Sequence, residues 1–282
     1  MTRSDAAVRG NGGDRLVRHQ PCSALLVICF LLVIGLPLAA NLTGHDGADA
    51  VAENRELAAF PHLDATRSSI STFGNGFERW FEDHFGFRSW LVRWYGESRL
   101  FGLGVSPSAA VVKGGHGWFF YADDEAMTDY ANERPLPPSE VANWRAAVVG
   151  ARDWLRARGV AYVFVVAPDK HVIYPEEVPA SIHRLGDVSR MDQLFTTLRD
   201  AGIAVVDARP ALDAAKTRER VYQQTDTHWN DLGAFVGYQQ IIDAVRSQVA
   251  GVPPRWTRDD FEVTPIERDG MDLAGMMGLT RV

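Results

Sequence analysis

VAYVFVVAPDKH, residues 160–171, contains the stretch that sets the class of the fold. From Val160 to Val166 it is an unbroken, β-favouring run, which predicts a strand buried on both faces and ended by Ala167-Pro168. Upstream, Ser139 precedes Val141, Trp144, Val148 and Leu155 at helical spacing, so it predicts a helix capped by Ser139. Downstream, a helix from about Ser189 turns Met191, Leu194 and Leu198 inward, and Ile203–Val206 makes a second short strand. A short helix follows over 208–216, then a third extended segment, Val221-Tyr222-Gln223. Leu232, Phe235, Tyr238, Ile242 and Val245 mark one more helix, with Asn230 as its cap. Alternating strands and helices predict an α/β domain: a mostly parallel sheet with helices on both faces.

In such sheets ligands sit beyond the carboxyl ends of strands. One junction of that kind carries Asp226-Thr227-His228-Trp229-Asn230. If the segment is extended, Asp226 and His228 leave the same face side by side. A carboxylate beside an imidazole fixes its tautomer and stabilises the imidazolium, as a base needs when it deprotonates a hydroxyl. Asp226 and His228 are therefore the candidate catalytic residues. Taken alone, Asp-x-His is a common pattern, and a capping or core role fits it equally.

Such a dyad calls for a nucleophile. A serine should stand on a tight glycine-containing turn. The nearest match, Gly104-Val105-Ser106, is followed by Pro107 and reads as a structural turn; Ser181 and Ser189 precede or cap helices. Both cysteines, Cys22 and Cys29, lie in an N-terminal apolar segment, which excludes cysteine catalysis, disulfides and thiolate metal sites elsewhere. His116, Asp169, His171, Asp226 and His228 show no dense metal-ligand spacing, and phosphate or dinucleotide fingerprints are absent, so neither a metal nor a cofactor is expected. Asp169 and Lys170, at another strand end, fit a site-shaping role or a structural ion pair or turn.

The apolar segment is CSALLVICFLLVIGLPLAA, residues 22–40. It has nearly the length needed to cross a bilayer, and Arg3, Arg9, Arg15 and Arg18 before it predict an inside N-terminus. Its length favours an uncleaved anchor over a signal peptide, although Leu38-Ala39-Ala40 is a fair cleavage site. The expected organisation is a cytoplasmic arm over 1–21, a transmembrane anchor over 22–40, a linker over 41–53 and an extracytoplasmic domain over 54–282, on the periplasmic side or at the cell surface. With four Arg against Asp5 and Asp14 in the arm, the remainder holds 29 − 4 = 25 basic and 36 − 2 = 34 acidic residues, net −9. Such a charge argues against nucleic acid as a partner. Phe77, Trp80, Phe81, Phe85, Trp90, Trp94 and Tyr95 recur at near-helical spacing broken at Gly86, which predicts core-facing helices, with sugar stacking as the alternative for one or two rings. Val111–Tyr121, split by Gly114-Gly115-His116-Gly117, predicts a hairpin beside the catalytic face.

Taken in order, NRELAAFP (54–61), FEDHFGFRSWLVRWYG (81–96), LFGLGVSPSAAVVKGGHGWFFY (100–121), APDKHVIYPEEVP (167–179), DTHWN (226–230) and DLAGMMGL (272–279) resemble the alginate O-acetyltransferase family, the AlgX/AlgJ-like group with an SGNH-hydrolase-like domain. That resemblance implies a three-layer α/β/α fold and a Ser-His-Asp acyl-enzyme that moves acetyl groups onto hydroxyls of an exported polysaccharide. By position, Asp226 is similar to the orienting acid and His228 to the general base. It also implies two partners, a polysaccharide acceptor and a membrane-bound acyltransferase that supplies the acetyl group. The family's serine lies on a Gly-Asp-Ser-type turn beyond these motifs, so the expectation is a chain truncated before its nucleophile, with the C-terminal part of the fold missing and not competent alone. Two alternatives stay open: an acetylesterase of the same fold, and a non-catalytic glycan-binding or assembly protein of a polysaccharide export complex.

Overall fold

A computed structural model describes residues 21–43, 56–62, 67–123, 125–267 and 269–279. The predicted cytoplasmic arm, except Pro21, and residues 44–53 of the predicted linker lie outside them. The chain divides into two compact units, residues 1–48 with 57–88, and 49–56 with 89–282.

The first unit contains α1 (Pro21–Leu42) and α2 (Arg67–His84). Leu25, Ile28, Leu31, Val33 and Ile34 of α1 are all exposed, so its apolar surface runs round the helix instead of along one stripe. At 1.5 Å per residue its 22 residues extend about 33 Å, against about 30 Å of bilayer hydrocarbon. Among the described residues it is the one helix long and apolar enough to cross a membrane. The aromatic residues of α2 pack differently from the expected core face. Phe73, Phe77 and Phe81 stack on one another four residues apart, at centroid distances of 6.2 Å. Phe60 meets Trp80 edge-on at 5.0 Å, and Phe77 stays exposed. The Asp83 carboxylate, buried here, accepts the Ala58 amide at 2.7 Å.

From Ser89 on, α3 (Arg88–Glu97) belongs to the second unit, and its Trp90, Trp94 and Tyr95 are exposed, again unlike a core face. The hairpin follows as predicted: β1 (Val111–Lys113) pairs antiparallel with β2 (Phe119–Tyr121), and Gly117 takes the turn at φ +83°. After α4 (Ala126–Tyr130) and α5 (Pro138–Arg156), β3 (Val163–Val165) leads to α6 (Lys170–Ile173) and α7 (Arg190–Asp200). Then come β4 (Ala204–Val206), α8 (Arg209–Lys216), α9 (Asp231–Arg246) and α10 (Asp272–Met276).

β3 and β4 pair in parallel, Val163 opposite Ala204. α7 and α9 both pack on β4, α9 also on β3, with α5 against α7 and α8 against α9. This is the expected α/β layering with a parallel pair at its centre. Three apolar clusters hold it together. Val148, Leu194, Leu198 and Ile203 join α5 and α7 to the approach to β4. Phe120, Ile173, Tyr174, Leu212, Val221 and Tyr222 fill the space between the hairpin, α6 and α8. Leu100, Val111, Phe119, Leu273 and Met277 close α10 onto the hairpin.

Three further expectations need correction. Only Val163–Val165 of the Val160–Val166 run forms a strand, and Val160 and Val165 are exposed, because β3 pairs with β4 alone among the described residues. Tyr222 makes a single antiparallel bridge to Trp229 and joins no sheet, so the dyad does not follow a third strand. The helix expected to be capped by Ser139 starts at Pro138 behind Pro137; proline's fixed φ near −65° suits a first turn and Ser139 falls inside it.

Candidate functional site

Asp226 and His228 do come together, by a local route. The loop between Tyr222 and Trp229 turns back on itself, and Asp226 Oδ1 accepts the backbone N–H of His228 at 2.9 Å, closing an Asx turn. That oxygen also lies 2.9 Å from Nδ1 of the His228 ring. The carboxylate is buried, while the imidazole is 79% exposed. A carboxylate is an acceptor only, so the shared proton belongs on Nδ1. Nε2 has no hydrogen-bond partner among the described residues and keeps its lone pair toward solvent.

The loop is held from below by Lys170, the first residue of α6. Its Nζ donates to the carbonyls of Gln223 (3.2 Å), Gln224 (3.1 Å) and Asp226 (2.6 Å) and lies over the Trp118 and Phe120 rings. Burial pushes the Lys170 ammonium down to about 7, a shift opposed by the negative charges of Asp272 and Asp226. The hairpin grips the same loop, since Phe119 N donates to Gln224 O at 2.9 Å and Gln224 Nε2 donates to His116 O at 2.9 Å. On the other side, Asn230 Oδ1 caps α9 by accepting from Gly233 N at 2.9 Å. A Cβ on Gly233 would stand 2.2 Å from the Val221 carbonyl, so this close approach of α9 needs glycine.

A second strap comes from the start of α10. Thr225 Oγ1 accepts from Met271 N at 3.2 Å and Thr225 O accepts from Leu273 N at 3.0 Å. Asp272 Oδ1 accepts the Thr227 N–H at 2.9 Å, and Asp272 Oδ2 accepts the Thr227 hydroxyl. The Asp272 carboxylate thereby stands 3.7 Å from His228 Nδ1. The sequence carries no signal that places Thr227 or Asp272 at the site beyond the position of Asp272 at the head of the DLAGMMGL motif.

The other candidates go elsewhere. Ser106 Oγ donates to Ser108 O at 2.8 Å inside its own turn, and Ser189 caps α7 in a reciprocal box with Asp192. His116 Nδ1 pairs with Glu177 at 2.9 Å. His171 is buried edge-on to Tyr130, its Nε2 lacks a hydrogen bond, and burial depresses its pKa to about 4. Asp226, His228 and Asp272, by contrast, bring their ligand atoms within 4.8 Å of one another. Two carboxylates and an imidazole are donors a divalent cation accepts, but Nδ1, the ring atom facing both acids, is already engaged by Asp226. Beside the loop lies a polar cleft of about 320 Å³, lined by Arg220, Gln223, Gln224, Thr225, Glu267 and Asp269.

A family model described as "SGNH hydrolase-like domain, acetyltransferase AlgX" matches residues 111–282. Among curated proteins, the chain is 31% identical over 165 residues to the probable alginate O-acetylase AlgJ of Pseudomonas syringae pv. tomato, covering 56% of this chain and 40% of that protein. It is 28% identical over 202 residues to the probable alginate O-acetylase AlgJ of Azotobacter vinelandii, covering 67% and 47%. The chain thus spans less than half the length of these relatives. Among solved structures, the O-acetyltransferase domain of Pseudomonas putida AlgJ aligns with a TM-score of 0.38 at 28% identity, covering 49% of this chain and 48% of that one. PatB1 of Bacillus cereus with a sulfonyl adduct aligns with a TM-score of 0.43 at 19% identity, covering 56% and 52%.

Proposed function

Because the chain belongs to the SGNH hydrolase-like, AlgX-type acetyltransferase domain family, we propose that it is part of an O-acetyltransferase that esterifies hydroxyls of an exported polysaccharide. One observation carries this more than any other: His228 Nδ1 is 2.9 Å from the buried Asp226 carboxylate while Nε2 is bare. In this mechanism Nε2 of His228 takes the proton of a serine hydroxyl as the serine oxygen attacks the acetyl carbonyl, and the protonated ring returns it to the leaving group. A sugar hydroxyl then attacks the acetyl-serine, giving up its proton to Nε2, and the protonated ring passes that proton to the serine oxygen as the serine leaves. Asp226 holds the ring and balances the imidazolium. Ser106 and Ser189 are committed to their own turn and cap, and neither is assigned as the serine of this mechanism.

The polar cleft beside the loop offers amides, an arginine and carboxylates, groups that hydrogen-bond a hydroxyl-rich acceptor. The apolar α1 supports a single-pass protein anchored in the cell membrane with this domain outside the cytoplasm. A membrane-bound acyltransferase as the acetyl source belongs to the same proposal and rests on the family alone. The test is to express the full open reading frame in a host producing the glycan and compare His228→Ala with wild type for ester content. Loss of general-base catalysis should slow transfer by about 10²- to 10⁴-fold. Equal acetylation would remove His228 from the mechanism, and release of free acetate without glycan acceptor would favour an esterase.

A further inference from the structure

His228 Nδ1 faces more than one acceptor. Asp226 Oδ1 is at 2.9 Å, Thr227 Oγ1 at 3.1 Å and Asp272 Oδ2 at 3.7 Å. The Thr227 hydroxyl donates its own proton to Asp272 Oδ2, which leaves its lone pairs available to Nδ1–H. One ring N–H therefore has two routes to a carboxylate, one direct to Asp226 and one through Thr227 to Asp272.

Asp272 is not a passing surface acid. Its Oδ1 takes the Thr227 amide at 2.9 Å and the Leu273 amide at 2.7 Å, and Leu273 and Ala274 behind it are fully buried. Two carboxylates beside one imidazole would repel each other without a cation nearby. Lys170 lies under the loop with its Nζ 2.6 Å from the Asp226 carbonyl, and the negative charges of Asp272 and Asp226 favour its protonated form against the effect of burial.

We propose that Asp272 is a positioning residue, a second orienting carboxylate that holds His228 in its Nδ1–H form through the Thr227 hydroxyl, alongside Asp226. The inference rests on His228 being the general base, since only then does the bare Nε2 matter. Its test reads the ring itself and needs no acetyl transfer, so failure here and failure of the acetyltransferase assignment are separate results.

The experiment is two-bond proton–nitrogen NMR on the full 282-residue chain, histidine-labelled with nitrogen-15 and held in detergent micelles, at a pH where the ring is neutral. A spectrum of His228→Gln identifies the resonance. In wild type and in Asp226→Ala the Nδ1–H form should dominate. In Asp226→Ala/Asp272→Asn the ratio of Nδ1–H to Nε2–H should fall about fivefold, the effect of losing one ordinary net hydrogen bond. Asn at 272 still offers a carbonyl oxygen to the Thr227 amide, so a purely structural role would leave the double variant like Asp226→Ala. That equality would overturn the proposal, as would an Asp226→Ala ring already in the Nε2–H form. If Asp226→Ala does not fold, Thr227→Val/Asp272→Asn is measured with Asp226 in place. A rise in the Nε2–H share over wild type supports the second carboxylate, and an unchanged ratio overturns it.

Discussion

Around the dyad, His171 is a residue whose chemistry turns burial into a pH dependence in the acid range. Its ring is depressed to about 4 in the fold, chiefly by burial, with Lys170 and Arg184 adding to the shift and Asp129 opposing it, against an ordinary value of 6.5. Between pH 4 and 6.5 the unfolded chain carries a proton that the folded one does not, so stability rises with pH across that window. It is fully present above 6.5 and lost as the pH falls toward 4. The loss is about 3 kcal/mol, or roughly 6–12 °C in Tm for a domain of this size. His171→Phe keeps a ring against Tyr130 and cannot titrate, so thermal melts between pH 4 and 6.5 should show a flatter acid limb; an unchanged slope would place the acid sensitivity elsewhere. At this scale the sequence was partly legible. Two residues' spacing was enough to pair Asp226 with His228, although an Asx turn does it and not an extended strand. Asp272 stayed hidden because it is 45 positions from Thr227, and no local pattern encodes that meeting.

Helices were legible where their ends carry chemistry. Ser189 and Asn230 accept the amides expected of caps, and the apolar spacing gave Leu194 and Leu198 of the buried face of α7. In α9 the expected Leu232, Phe235, Tyr238, Ile242 and Val245 are half-buried, and the buried positions are Gly233, Val236 and Gly237. Strands were legible as apolar runs but not in length, since a run records a preference for burial and says nothing of a partner; only three residues of Val160–Val166 find one. The aromatic series misled for a related reason. Rings four apart on a helix can satisfy one another, as Phe73, Phe77 and Phe81 do, without facing a core. For α9 the decisive fit is glycine. Gly233→Ala sets a methyl against the Val221 carbonyl, the same carbonyl that accepts Asn230 N at 3.0 Å, and should cost about 1–3 kcal/mol. Gly150→Ala in α5, with nothing within 4 Å, should instead gain roughly 0.5–1 kcal/mol. Denaturant midpoints of the two variants check the pair, and equal signs would contradict the packing of α9 on the site loop.

For the whole molecule, the division into two units separates the question of where the protein resides from what its site does. If α1 is an anchor, the intact protein should stay in the membrane pellet after an alkaline wash, and a variant lacking residues 1–43 should move to the soluble fraction. A shortened, soluble product from the unaltered gene would instead mark α1 as a cleaved leader. Within the second unit, the contacts that define the site differ greatly in the chain separation they bridge. Asp226 and His228 are two residues apart, while Lys170 reaches Asp226 across 56 positions and Asp272 reaches Thr227 across 45. Closing a two-residue ring costs little chain entropy, whereas the long closures become favourable only once the surrounding core has condensed. The acid–imidazole contact is thus available to a barely collapsed chain. The ammonium beneath it and the second carboxylate beside it arrive with the finished fold, which ties the setting of the ring to the completion of folding.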